Sequence, residues 1–263
     1  MNPVTVIQGI SPVILGMPHV GTHVPDDVTA KLNQEGRRLR DTDWHIDKLY
    51  AGLLPGASVV KANFHRYVID ANRDPSGVSL YPGQNTTGLV PQTDFDSRPI
   101  WADAPDADES ERRLADWHAP YHAALGAEVK RVKAVHGIAL VYDCHSIRSR
   151  CPFLFEGELP VLNIGTNDGL TCDAQFARIA TEIAAGSGFS WVANGRLKGG
   201  WTTRHYGKPE TGVHAIQMEI AQSAYLAAEE DPWTFDAVKA ARLRQTLKTL
   251  LAVLEEAAIG GFS

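Results

Sequence analysis

Four short stretches of the chain gather side chains that can bind a metal or move a proton. In "GMPHVGTHVPDDV" an apolar run opens into His19 and His23, and "RDTDWHIDKLY" carries Asp41, Asp43, His45 and Asp47. "GIALVYDCHSIRSR" runs from an apolar segment straight into Asp143, Cys144 and His145, and "VHAIQMEIAQ" holds Glu219 inside an otherwise apolar run. Two imidazoles at separate strand ends plus one carboxylate make a three-ligand zinc site with a position left open for water. A buried carboxylate beside it could take the proton from that water and pass it to a leaving amine.

Each stretch also has a plainer reading. A solitary histidine after a strand is usually a solvated loop residue or a hydrogen-bonded core imidazole. His23, His45, His65, His118, His122, His136, His205 and His214 can all be of that kind. Asp41 and Asp43 can cap a helix. Glu219 resists such a reading. A period of two puts it on one strand face with Val213, Ala215 and Gln217, while Ile216, Met218 and Ile220 occupy the other. An unpaired carboxylate there is costly, so a metal, a cation or a proton must compensate it. Adjacency alone does not make Cys144 and His145 a catalytic dyad, since neighbours on an extended chain face opposite ways. The chain has no phosphate-binding loop and no Gly-x-Ser-x-Gly elbow.

The elements that must position these groups alternate. Residues 12–17, 57–63, 138–142, 160–165, 189–194 and 213–220 read as strands. Leu114, Trp117, Tyr121, Leu125, Val129 and Val132 recur at helical steps within 110–136, with Pro120 expected to kink or divide that helix. Residues 172–185 form a second helix. A third is capped by Thr234, turns Val238, Leu243, Leu247, Leu250, Leu251 and Leu254 inward, and ends at Gly260-Gly261. The alternation predicts an α/β fold, a three-layer sandwich around a mixed, largely parallel sheet. Residues 74–110, rich in Pro, Gly, Asp and Ser, read as a functional loop or lid within a single domain spanning 1–263.

Composition sets the bounds. At 263 residues and 44% hydrophobic, the chain can bury a substantial core. Its 25 basic and 31 acidic side chains give a net charge of −6, with no basic run, which argues against a nucleic-acid partner. No apolar stretch is long enough to span a membrane. The N-terminus lacks a basic region and carries Pro3 and Pro12, unlike a signal peptide, so a cytoplasmic location is expected. Three cysteines fit reduced thiols better than a disulfide framework. Nothing in the sequence fixes an oligomeric state.

Seven separated segments carry a resemblance, in order, between about residues 11 and 226. They are "PHVGTHVP", "DTDWHIDKLY", "RYVIDANRDPSG", "DCHSIRS", "LNIGTNDGLTCD", "NGRLKGGWTTRHYGKP" and "GVHAIQMEIAQSAYL". Together they resemble the N-formylglutamate amidohydrolase family, in particular its deformylase branch from histidine breakdown. That family is similar in fold to zinc carboxypeptidases and aspartoacylases, which use a His-x-x-Glu pair and a distant His as ligands.

Carried over, the resemblance implies one zinc per chain, or another divalent metal, with His19 and His145 as ligands. The chain departs at the expected glutamate, where it has Thr22, so the third ligand must come from elsewhere: Asp43, with His23 as the alternative. Glu219 falls at the general-base position, and Asp143 is placed to orient the cluster. The implied substrate is a small dianion, N-formyl-L-glutamate, hydrolysed to formate and L-glutamate. Its carboxylates call for bidentate cations, and the candidates are Arg66, Arg73 and Arg204 with Asn72 as a polar partner, then Arg148 and Arg196. Arg66 or Arg73 could instead pair structurally with Asp70 or Asp74. Two other readings stay open: a zinc amidohydrolase or peptidase for another N-acyl amino acid, and a non-catalytic metal- or carboxylate-binding module.

Overall fold

The computed structural model describes residues 1–261. Seven strands form one sheet: β1 (Val4–Ile7), β2 (Val13–Met17), β3 (Ser58–Ala62), β4 (Ala139–Ile147), β5 (Leu162–Gly165), β6 (Trp191–Ala193) and β7 (Val213–Ala221), in the order β1-β3-β2-β4-β7-β5-β6. The pairs β3–β2, β2–β4, β4–β7 and β5–β6 are parallel, whereas β1–β3 and β7–β5 are antiparallel. The sheet is therefore mixed and largely parallel, as expected. Around it lie α1 (Asp26–Lys31), α2 (Ile46–Tyr50), α3 (Ala107–Arg113), α4 (Ala119–His136), α5 (Ala174–Gly186), α6 (Trp201–Tyr206) and α7 (Ala237–Gly260).

Two cores define three layers. On one sheet face Leu140, Tyr142, Ile216 and Met218 pack with Leu49 of α2, Phe176 of α5 and Leu243, Leu247 and Leu251 of α7. On the other, Ile14, Ala139, Val141, Val213 and Ala215 pack against Tyr121, Leu125, Val129 and Val132 of α4. The period-two reading of the seventh strand is thus correct, and it matters for the site. Asp143 and His145 continue the row of Ala139 and Val141, while Gln217 and Glu219 continue that of Val213 and Ala215.

Several sequence expectations are corrected. The fourth strand runs to Ile147, all nine residues buried, so His145 lies within it rather than after it. The edge strand β1 and the short helices α1, α2 and α6 carried too little periodicity to be read. The long helix does divide at Pro120, as expected: a π turn over Leu114–His118 joins α3 to α4. Proline cannot donate to the preceding turn, and a wider turn absorbs the fault.

The last helix is capped not by Thr234 but by Asp236, whose Oδ1 accepts from the N–H groups of Val238 (2.9 Å) and Lys239 (3.0 Å). That shift turns Val238 outward, 86% exposed, while Leu243, Leu247, Leu250, Leu251 and Leu254 are buried as expected. Asp236→Ala should cost about 1 kcal/mol, read as a lower urea midpoint at unchanged slope. An unchanged midpoint would show that the cap contributes nothing.

Between β3 and α3 the chain has no helix or strand among the described residues, so the irregular segment spans 63–106, longer at its start than the expected 74–110. All three cysteines are free and buried. Among the described residues no helix is long and apolar enough to cross a membrane.

Candidate active site

Parallel pairing sets His145 of β4 directly beside Glu219 of β7, and Asp143 beside Gln217, at the centre of the sheet. His19 arrives from the turn after β2, and Asp43 from the loop before α2, where its N–H donates to the His19 carbonyl (3.0 Å). The structure thereby brings His19, Asp43 and His145 together, all buried, with one potential ligand atom from each lying within 4.8 Å of the others. His145 Nδ1 is 3.1 Å from Asp43 Oδ2, and His19 Nδ1 is 3.9 Å from the same oxygen. Ligand atoms around a tetrahedral zinc stand roughly 3.3 Å apart, so the His145–Asp43 pair is already at that spacing and the His19 ring would have to draw in by some tenths of an ångström to complete it.

The remaining atoms of the cluster support a metal in the same place. His19 Nδ1 is buried and has no hydrogen-bond partner, while its Nε2 is held by Asp70 Oδ1 at 2.6 Å. His145 Nε2 lies 3.2 Å from Asp143 Oδ2, which also accepts from Thr203 Oγ1 (3.1 Å). His19 thus has one nitrogen turned to a carboxylate and the other free and directed inward, the arrangement that fixes a metal-binding histidine, while His145 is held by Asp143 at Nε2 and meets Asp43 at Nδ1. Burial, then Arg66, keeps His19 below its usual pKa despite Asp70 and Asp43, so its ring is neutral and available as a ligand. Burial also opposes ionisation of Asp43, but Arg66 and the two histidines outweigh it and hold the carboxyl below the usual range.

Glu219 is the proton-transfer candidate. Burial, reinforced by Asp43 and Asp143 against His145 and Arg66, raises its pKa to about 7. Gln217 orients it, donating from Nε2 to Glu219 Oε2 (3.1 Å) while its Oε1 accepts from the Gly200 N–H (2.7 Å). Gly200 is required by space: a Cβ there would stand 2.2 Å from Asn72 Nδ2.

Asn72 is fixed from several sides. Its Oδ1 accepts from the Thr202 N–H (2.8 Å), which turns its Nδ2 toward His145 Nε2 at 3.0 Å. His122 Nε2 donates to the Ala71 carbonyl (2.7 Å) and His118 Nε2 to that of Arg73 (3.1 Å), bracketing it on the backbone. Two histidines that looked merely structural in the sequence thus position a site residue.

The arginines divide differently from the sequence expectation. Arg66 Nη2 donates to Asp43 Oδ1 (2.5 Å) and its Nη1 lies 4.0 Å from Asp70, so its charge is engaged by the cluster. Arg73 Nε is 3.9 Å from Asp70, and its Nη2 donates to Thr86 and Thr87 Oγ1 (3.2 and 3.1 Å). Both line a cavity with His19, Asn72, His145 and Glu219. Arg204 does not. Its guanidinium donates to the carbonyls of Gly199 (2.9 Å) and Leu80 (3.4 Å) and stacks on Tyr81, outside the cavity. Arg148 pairs with Asp96 (3.0 Å), whereas Arg196 does line the cavity.

The other candidates fall away from the site. His23 packs on Trp117, and its backbone bridges to Phe64, so it is not brought to the cluster. Asp41 accepts from Tyr67 Oη (2.8 Å) and the Phe95 N–H (2.9 Å), anchoring the irregular segment instead. His45 donates to the Trp233 carbonyl (2.8 Å). Sequence reasoning treated Asp70 only as a partner for arginine and passed over Gln217; the alternation that exposed Glu219 contained the signal for the latter.

Comparison with known proteins gives concordant results. The family model described as N-formylglutamate amidohydrolase matches residues 11–226. The chain is 47% identical over 254 residues to an N-formylglutamate deformylase of Pseudomonas aeruginosa, covering 93% of this chain and 94% of that one. It is 44% identical over 251 residues to a deformylase of the same description from Pseudomonas putida, covering 94% and 93%. The crystal structure of an N-formylglutamate amidohydrolase from Ralstonia eutropha superposes with a TM-score of 0.82 at 26% identity, over 99% of this chain and 100% of that one. A gene product of Agrobacterium tumefaciens shares the fold, with a TM-score of 0.72 at 18% identity and 97% of each chain covered.

Proposed function

The chain belongs to the N-formylglutamate amidohydrolase family, and from that premise we propose that it hydrolyses the formamide bond of N-formyl-L-glutamate, with a zinc ion held by His19, Asp43 and His145. The observation that carries the reading is the unpartnered His19 Nδ1 converging with Asp43 and His145 beside a buried glutamate. When bound, the ion supplies Lewis-acid polarisation of the formyl oxygen and acidifies water.

The chain's own groups do the rest. Glu219 removes a proton from the attacking water, whose oxygen forms the new bond to the formyl carbon. The Arg66 guanidinium, steadied by Asp43, and the Asn72 amide are donors for the charge that develops on the formyl oxygen. Glu219 then returns its proton to the nitrogen, the C–N bond breaks, and formate and glutamate leave. Arg73 reads the α-carboxylate. The irregular segment over residues 63–106, whose Tyr81, Thr86, Thr87 and Phe95 line the cavity, keeps bulk water from the reacting carbon.

The test is formate release from N-formyl-L-glutamate by protein purified without chelator, alongside elemental analysis. One zinc per chain and equimolar formate and glutamate are expected, with activity lost on chelation and restored by zinc. Zinc-replete protein that releases no formate, or an anomalous map with no ion between His19 and His145, would sink the reading.

A further inference from the structure

We infer that Arg196 is the receptor for the side-chain carboxylate of the substrate, and so sets specificity for a glutamyl group over neutral side chains; this rests on the formylglutamate reading above. Arg196 differs from the other cavity arginines in one respect. Arg66 and Arg73 each stand within 4.0 Å of a buried aspartate, whereas no carboxylate pairs with Arg196 among the described residues.

The Arg196 guanidinium is held only by neutral groups. Its Nε donates to the Leu154 carbonyl (2.9 Å), its Nη2 to the Asn85 carbonyl (2.7 Å), and it lies over the Tyr81 ring at 5.3 Å. Those contacts fix its direction while leaving its charge unanswered. Partial burial, and Arg73 facing the same cavity, work against that charge. Two cations turned toward one cavity, one of them without an acid, form a site completed by an anion.

The connectivity of contacts orders the cavity. At one end Asn72 touches His145. Arg73 follows, bonded to Thr86 and Thr87, and Arg196 meets the next residue along, Asn85. Ile147, Leu154 and Leu197 supply an apolar wall in the same cavity. A formyl group at the histidines, an α-carboxylate at Arg73, two methylenes along the wall and a terminal carboxylate at Arg196 match a glutamyl residue. Arg204, on Tyr81 but outside the cavity, supports this assembly without reaching the substrate.

The test compares kcat/KM for N-formylglutamate and N-formylnorvaline in the wild type, Arg196→Met and Arg196→Lys. Arg196→Met should lose on the order of 10²–10³-fold on N-formylglutamate, mostly through KM, and turn over N-formylnorvaline, which leaves the guanidinium unpaired in the wild type, at least as well as the wild type does. Arg196→Lys should recover part of the loss, and the retained norvaline activity reports that the variants fold. A wild type that prefers N-formylglutamate, beside an Arg196→Met that keeps the preference or loses both activities together, overturns the inference alone. A wild type that treats both substrates equally overturns the functional reading and the inference with it.

Discussion

Glu219→Gln should reduce formate release by about 10²–10⁴-fold while leaving the fold and the bound metal in place. The amide is nearly isosteric, and its oxygen can still accept from Gln217 Nε2, so the pocket keeps its shape. What it cannot do is take a proton from water. The same group fixes the direction of the pH dependence. Its pKa, raised by burial to about 7, means the basic form is lost as pH falls through that value, so kcat/KM should drop below it and level off above. A bound cation favours the charged form and draws the acid limb to or below about 7. The limb should vanish from the residual activity of the variant. Near-wild-type turnover by zinc-loaded Glu219→Gln would remove Glu219 from the mechanism.

Asp43→Asn should fail in a different way, losing metal and stability together. Asp43 Oδ1 takes Arg66, and Oδ2 takes both His145 Nδ1 and the Ser146 N–H (3.1 Å each). Removing its charge would take away the one carboxylate of the proposed ligand set. It also leaves the buried Arg66 with no carboxylate closer than Asp70, at 4.0 Å, among the described residues, and breaking such a pair costs about 3–5 kcal/mol. Zinc content measured at buffered free zinc, with unfolding followed in urea, separates this variant from Glu219→Gln, which should keep both. Full zinc occupancy in Asp43→Asn would show that the third ligand lies elsewhere.

The central strands and the row that bears the site were legible because alternation survives wherever one face is apolar. Glu219 stood out against Ile216, Met218 and Ile220, and it is buried as that pattern required. The end of β4 was misread for the opposite reason. Asp143, Cys144, His145 and Ser146 look like a rim, yet pairing with β7 on one side and the cluster above them keeps them in the sheet. Composition records polarity, not the partner that satisfies it.

Arg204 shows the same limit. It sits in a segment that resembles its family as strongly as the neighbouring Arg196 does, and only the turn of the chain around Gly199 and Gly200 decides which of the two faces the cavity. The roles of His118 and His122 were hidden because both act on the carbonyls of Ala71 and Arg73, groups that every residue possesses.

His145 and Glu219 stand on β4 and β7, whose neighbours on both sides are strands and whose residues are buried throughout. Local opening in a sheet begins at its margins, here β1 and β6, and an amide deep in a central pair exchanges its hydrogen only when the whole domain opens. Fraying at either margin therefore leaves His145 and Glu219 in register. On heating, His145 and Glu219 should stay paired until the sheet melts cooperatively, so any earlier loss of activity would arise in the turns that carry His19 and Asp43 or in the irregular segment that carries Arg73.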